Sequence, residues 1–157
     1  MTSNALIVDF TLDGTSGAAI NLSPENSGQT PFPYFGLVQG RDSTSPDIAP
    51  GNFNYLYLGG TNGTDPGATP QNGGNYFSTQ TGLDHASESA LWTIDVNALT
   101  LVPVWVNSDG STPATQVFVQ SNHVYGGGDA DAFHSRFPAP VASATLHLEI
   151  LSAVANR

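Results

Sequence analysis

Tyr55 and Tyr57 stand just ahead of a run rich in Gly, Asn, Thr and Pro at residues 59–74, and Asn75 and Tyr76 follow it directly. Aromatic faces take the apolar side of a sugar ring, while Asn, Asp and main-chain amides bond its hydroxyls. Tyr55, Tyr57, Asn62, Asp65, Asn72, Asn75 and Tyr76 are therefore the candidate residues for a neutral glycan. A competing reading needs no ligand. Phe53, Tyr55 and Tyr57 alternate along one strand, so they form one core face and the loop is solvent-exposed filler.

The remaining chemistry-bearing residues form no recognisable motif. His85, His123, His134 and His147 have neither the i, i+4 nor the alternating spacing of a metal site, and no Gly-x-Ser-x-Gly supplies a nucleophile. The sequence thus reads as non-catalytic and without a cofactor, with a Ser-His-Asp set assembled only in space as the enzyme alternative. Gly126-Gly127-Gly128 leading into Asp129-Ala130-Asp131 has the outline of an anion loop, but two carboxylates at a helix start repel phosphate. Calcium has partial ligand sets in Asp109 or in Asp129 with Asp131, and neither stretch completes an EF-hand loop. Turn glycines and a helix cap account for the same residues. Asn21 and Asn62 open glycosylation sequons, which carry meaning only in a secreted chain.

Charge narrows the partner classes. Thirteen carboxylates face three cations, Arg41, Arg136 and Arg157, for a formal net charge of −10 in 157 residues. Nucleic acid needs Lys and Arg to neutralise phosphates, so that partner is excluded, and anionic membrane surfaces are disfavoured for the same reason. Neutral glycans, cations and metal ions stay open. Cysteine is absent, and no run of 18 apolar residues offers a membrane span. The first residues lack the basic and apolar regions of a secretion signal. Sparse charge and many strand edges favour self-association into a homo-oligomer.

The elements that must position these residues are strands. Trp92, Ile94 and Val96 alternate with Thr93 and Asp95, and after a break at Asn97-Ala98 the residues Leu99, Leu101 and Trp105 run on to an Asn-Ser-Asp-Gly turn at 107–110. Such period-2 runs mean antiparallel strands with one face in a core, and both tryptophans read as core pillars. Further strands are expected at 5–10, 18–22, 34–38, 52–58, 75–79, 115–120 and 142–151. The last of these has Leu146, Leu148 and Ile150 inward and His147 and Glu149 outward. A short helix is expected at 129–137, capped by Asp129 or Asp131, with Phe133 and Phe137 on one face. The sum is a single all-β domain over residues 1–157, an antiparallel, jelly-roll-like β-sandwich of about nine or ten short strands.

The run Leu91-Trp92-Thr93-Ile94-Asp95, the stretch 101–115 with its Pro103-Val104-Trp105-Val106-Asn107 turn, and Asp131-Ala132-Phe133 also carry a family likeness. They resemble small secreted fungal proteins of the cell wall and fruiting body. Those proteins carry a Trp-x-hydrophobic-Asp strand, a Pro-x-Trp-x-Asn turn and a short Asp-Ala-x-Phe helix. The likeness covers residues 52–150, its motifs are structural, and the chain departs from the family pattern in lacking cysteine and a visible signal. It implies a stable secreted or wall-associated protein, with a cytosolic setting as the alternative. The function expected is a non-catalytic surface or fruiting-body protein, lectin-like through the 55–76 region. A structural or storage protein without ligand is the alternative, and a small hydrolase with a spatial His/Asp site is the third.

Overall fold

A computed structural model describes residues 4–14 and 17–151. Among them are twelve strands and two short helices, and every strand pairing is antiparallel. The chain is all-β. The strands are β1 (Val8–Asp9), β2 (Ser23–Pro24), β3 (Tyr34–Gln39), β4 (Tyr55–Thr61), β5 (Gln71–Asn72), β6 (Ala86–Glu88), β7 (Trp92–Asp95), β8 (Thr100–Pro103), β9 (Gln116–Gln120), β10 (His123–Gly127), β11 (Val141–Ser143) and β12 (Leu146–His147). Helix α1 spans Tyr76–Thr81 and α2 spans Ala130–Arg136. Seven strands form the main sheet in the order β11-β9-β10-β4-β3-β6-β5, three form a second sheet, β12-β8-β7, and β1 pairs with β2.

Two cores lie on opposite faces of the main sheet. On the inner face Leu37 and Leu56 join Leu22, Ile48, Leu91, Trp92, Leu101 and Trp105, so this core is shared with the three-stranded sheet. The outer face is aromatic: Val38, Tyr57, Tyr125 and Phe118 sit opposite one another across β3, β4, β10 and β9. Helix α2 closes this face with Phe133, which packs on Tyr55 and Phe118. Burial on both faces explains why β4 reads YLYL, with no polar face to mark it.

Both tryptophans are fully buried and serve as core pillars. The Trp92 ring stacks on Phe35 at 5.6 Å, and its Nε1 donates to the Phe35 carbonyl at 2.7 Å. Trp105 Nε1 donates to the Pro46 carbonyl at 3.0 Å, pinning the long 40–52 connection over the core.

Several expected elements fold differently. The strand expected at 75–79 is helix α1, because Asn75 caps it and Gly82, at φ 72°, ends it in the left-handed conformation. Residues 18–22 contribute only single bridges, Ile20 to Trp92 and Leu22 to Phe35, and not a strand. The last strand, expected at 142–151, is cut in two. β11 joins β9 in the main sheet, and β12 crosses to β8 in the other. In consequence Leu146 and Leu148 pack on the core while Ile150 is 74 % exposed. Val96 is exposed too: Asp95 Oδ1 accepts from the Asn97 and Ala98 amides and turns the chain there, out of the core. Unexpected strands are β2, β5, β6 and β10. In β10 a side chain at Gly127 would press on the Phe118 ring and the Asn54 carbonyl, at 3.1 and 3.3 Å from its Cβ, which favours glycine there.

Candidate functional site

The structure divides the seven candidate glycan residues. Tyr55 is buried on the outer face, ringed by Tyr57, Tyr125, Phe133 and Phe137 at 5.2–5.6 Å, and presents no face to a ligand. Its hydroxyl donates to Asp42 Oδ2 at 3.3 Å and lies 3.1 Å from the Tyr57 hydroxyl. Burial, reinforced by the Tyr57 hydrogen bond, pushes the Tyr55 phenol far above its ordinary range. It remains a neutral structural group.

Asn75 is likewise structural. It is fully buried, its Oδ1 accepts from the Ser78 amide at 2.8 Å, and its Nδ2 donates to the His85 carbonyl at 2.8 Å. Asn75→Ala removes both bonds and leaves that carbonyl only the longer bond from the Ser78 hydroxyl, at 3.4 Å, so it should cost about 2 kcal/mol in urea unfolding. Asn75→Ser, which retains a cap, should recover part of the loss. Equal loss from both variants would mean that the cap is unimportant.

Asn62, Asp65 and Asn72 are exposed, and none of them lines the cleft that holds Tyr57 and Tyr76. Asn72 lies on β5 at the sheet edge, and the Asn62 amide donates to the Gly74 carbonyl at 2.7 Å. Of the two sequons, Asn62 is exposed, whereas the side-chain Oδ1 of Asn21 is buried without a hydrogen-bond partner.

Tyr57 and Tyr76 do come together. They line a cleft of about 210 Å³ with Phe77, Gln29, Gln80, Val38, Leu58 and Gly59. The main sheet forms its floor through β3 and β4, α1 forms one wall, and the loop carrying Gln29 forms the other. The Phe77 ring lies 5.0 Å from Tyr57, tilted by 34°, and Tyr76 meets Phe32 edge-on at 6.4 Å. All three lining aromatics are half-buried. Gln29 Oε1 accepts from the Gly60 amide, which fixes this side chain against β4, and Gln80 is exposed one helical turn after Tyr76. No charged side chain lines the cleft.

Gln29, Phe77 and Gln80 were not legible as site residues. Reading 75–79 as a strand puts Tyr76 and Phe77 on opposite faces, and a helix brings both to the same wall. The signal was present: Asn75 before the aromatic pair and Gly82 six residues after Tyr76 are the cap residues of a short helix.

The acidic turns have structural partners. Asp109 Oδ1 accepts from the Ser111 amide at 2.9 Å and its hydroxyl at 2.6 Å. Asp129 caps α2 through the Asp131 and Ala132 amides, and its second oxygen holds the Gly51 amide at 2.8 Å. These hydrogen bonds hold both carboxyls below the ordinary aspartate range. Among the described residues no three His, Cys, Asp or Glu side chains group as a metal site. The ring nitrogens of His85, His123 and His134 each meet a main-chain carbonyl at 2.9–3.0 Å, those of Gln39, Ser121 and Ala139. Among the described residues no helix is long and apolar enough to cross a membrane.

No protein-family model matches this chain, and neither does any curated protein or solved structure. The cleft must speak for itself.

Proposed function

We propose that the chain is a non-catalytic carbohydrate-binding protein, of the secreted or wall-associated kind that its sequence resembles, and that the cleft beside α1 receives one ring of a neutral glycan. The observation that carries this is the lining: three half-buried aromatic rings and two glutamine amides, with no charge. A sugar ring has an apolar face for Tyr57, Tyr76 or Phe77 and hydroxyls for the amides of Gln29 and Gln80. A charged substrate finds no counter-ion there. At about 210 Å³ the cleft falls below the 300 Å³ or so at which drug-sized sites begin, so it suits one ring of a longer chain.

Titration calorimetry against neutral oligosaccharides chosen on a glycan array tests the reading. Tyr76→Ala should weaken binding about tenfold, and Gln80→Ala, an exposed change, about fivefold with the melting temperature unmoved. The absence of any neutral-sugar binding, or binding that both variants leave intact, overturns it.

A further inference from the structure

A cavity larger than this cleft lies beside the β7–β8 turn. It is an open apolar groove of about 720 Å³ walled by residues of segments 5–12 and 147–151 and by the β7–β8 turn. Of the nine exposed large hydrophobic side chains among the described residues, six line it: Leu6, Ile7, Leu12, Val96, Ile150 and Leu151. Such a concentration on an otherwise polar surface marks an interaction site.

Two features specify the occupant. The first is main-chain. Along the 5–9 segment, Ala5, Ile7 and Asp9 turn their polar groups toward β2: the Ile7 amide donates to Asn26 Oδ1, the Ile7 carbonyl accepts from the Glu25 amide, and Asn26 Nδ2 donates to the Ala5 carbonyl. Alternation turns the amides and carbonyls of Leu6, Val8 and Phe10 the opposite way, to an edge that no described strand pairs. An acyl chain has nothing to bond to such an edge, whereas an extended peptide does. The second feature is charge. Asp9, Glu25 and Asp95 are exposed, and each is next in sequence to a residue lining the groove. No arginine lines it, and the chain has no lysine. A second copy, itself at −10, would bring like charge to the same rim.

We infer that this groove docks an extended peptide segment of another protein, adding a strand along the edge of β1, with alternate apolar side chains in the groove and Lys or Arg toward Asp9, Glu25 and Asp95. Segment 5–10 offers length for about six residues at roughly 3.3 Å each.

A displayed library of random nine-residue peptides, panned against the full chain, tests this. Expected are enriched sequences alternating apolar residues with Lys or Arg. A resynthesised binder should weaken at least tenfold when its cationic residues become Glu, and at least tenfold against Val96→Asp/Ile150→Asp. Those two side chains are 58 % and 74 % exposed, so the variant should keep the wild-type melting temperature and its sugar binding. A variant that also unfolds is replaced by Asp9→Asn/Asp95→Asn, which should weaken the binder at least fivefold. No enrichment, enrichment of acidic or unpatterned peptides, or binding indifferent to the groove variants overturns the inference. So does a concentration-dependent dimer in sedimentation that Val96→Asp/Ile150→Asp abolishes, or capture of a dodecyl chain in place of peptide.

Discussion

Trp92→Ala should be among the most damaging single substitutions in this protein, at about 4 kcal/mol. The side chain is completely buried and joins the two sheets: it belongs to β7, stacks on Phe35 of β3, and donates its indole N–H to the Phe35 carbonyl. Its own main chain exchanges hydrogen bonds with Ile20, at 2.8 and 3.3 Å. Truncation leaves a cavity between the sheets and removes the donor from that carbonyl. Against a typical stability of about 5–15 kcal/mol the variant keeps little margin, and its melting temperature should fall by about 10 °C. Trp92→Phe, which fills most of the volume and loses only the N–H, should cost about 2 kcal/mol. If the two variants melt together, packing does not dominate at this position.

Glu88→Gln should abolish a pH dependence of stability that the wild type shows between about pH 4.5 and 8. Glu88 is 2 % exposed on β6, facing the inner core opposite Leu37, and both of its oxygens meet a single donor, the Val106 amide, at 3.1 and 3.2 Å. No ion pair reaches it among the described residues. Burial pushes its carboxyl up to about 8, against an ordinary value of 4.5, and the Val106 amide only partly offsets this. The folded chain therefore holds a proton that the unfolded chain releases within that window. Stability is full below about pH 4.5, falls as pH rises, and levels off above about 8, for a total of up to about 5 kcal/mol. Glutamine keeps the acceptor for Val106 and cannot ionise. Urea titrations at pH 5, 7 and 9 should show the wild type losing stability while Glu88→Gln stays level. Parallel slopes would mean that Glu88 already ionises in the folded protein.

These two residues also show how much was legible beforehand. Trp92 announced itself through its alternation with Ile94, and only its partner Phe35, 57 positions away, was hidden. Glu88 gave no signal, since a carboxylate between two serines reads as surface. Its burial follows from β6 slotting between β3 and β5 in the interior of a sheet. The candidate site behaved in the same way. Tyr57 and Tyr76 were visible as aromatic residues beside a polar loop. Tyr55 was equally visible but lies beneath α2, because Phe133 and Phe137 cover it.

By itself the sequence determined the class of the protein: all-β from period-2 runs, a capped helix from Asp129 with its paired phenylalanines, and a formal net charge of −10. These are local or summed properties, readable without knowing which segments meet. Tertiary structure decided which aromatic rings are core and which form a cleft, that one terminal run serves two sheets, and that apolar residues from both ends of the chain gather in one groove. Strand pairing and sheet stacking are long-range. A strand with apolar residues on both faces does not reveal which face will be covered by a helix and which by a second sheet.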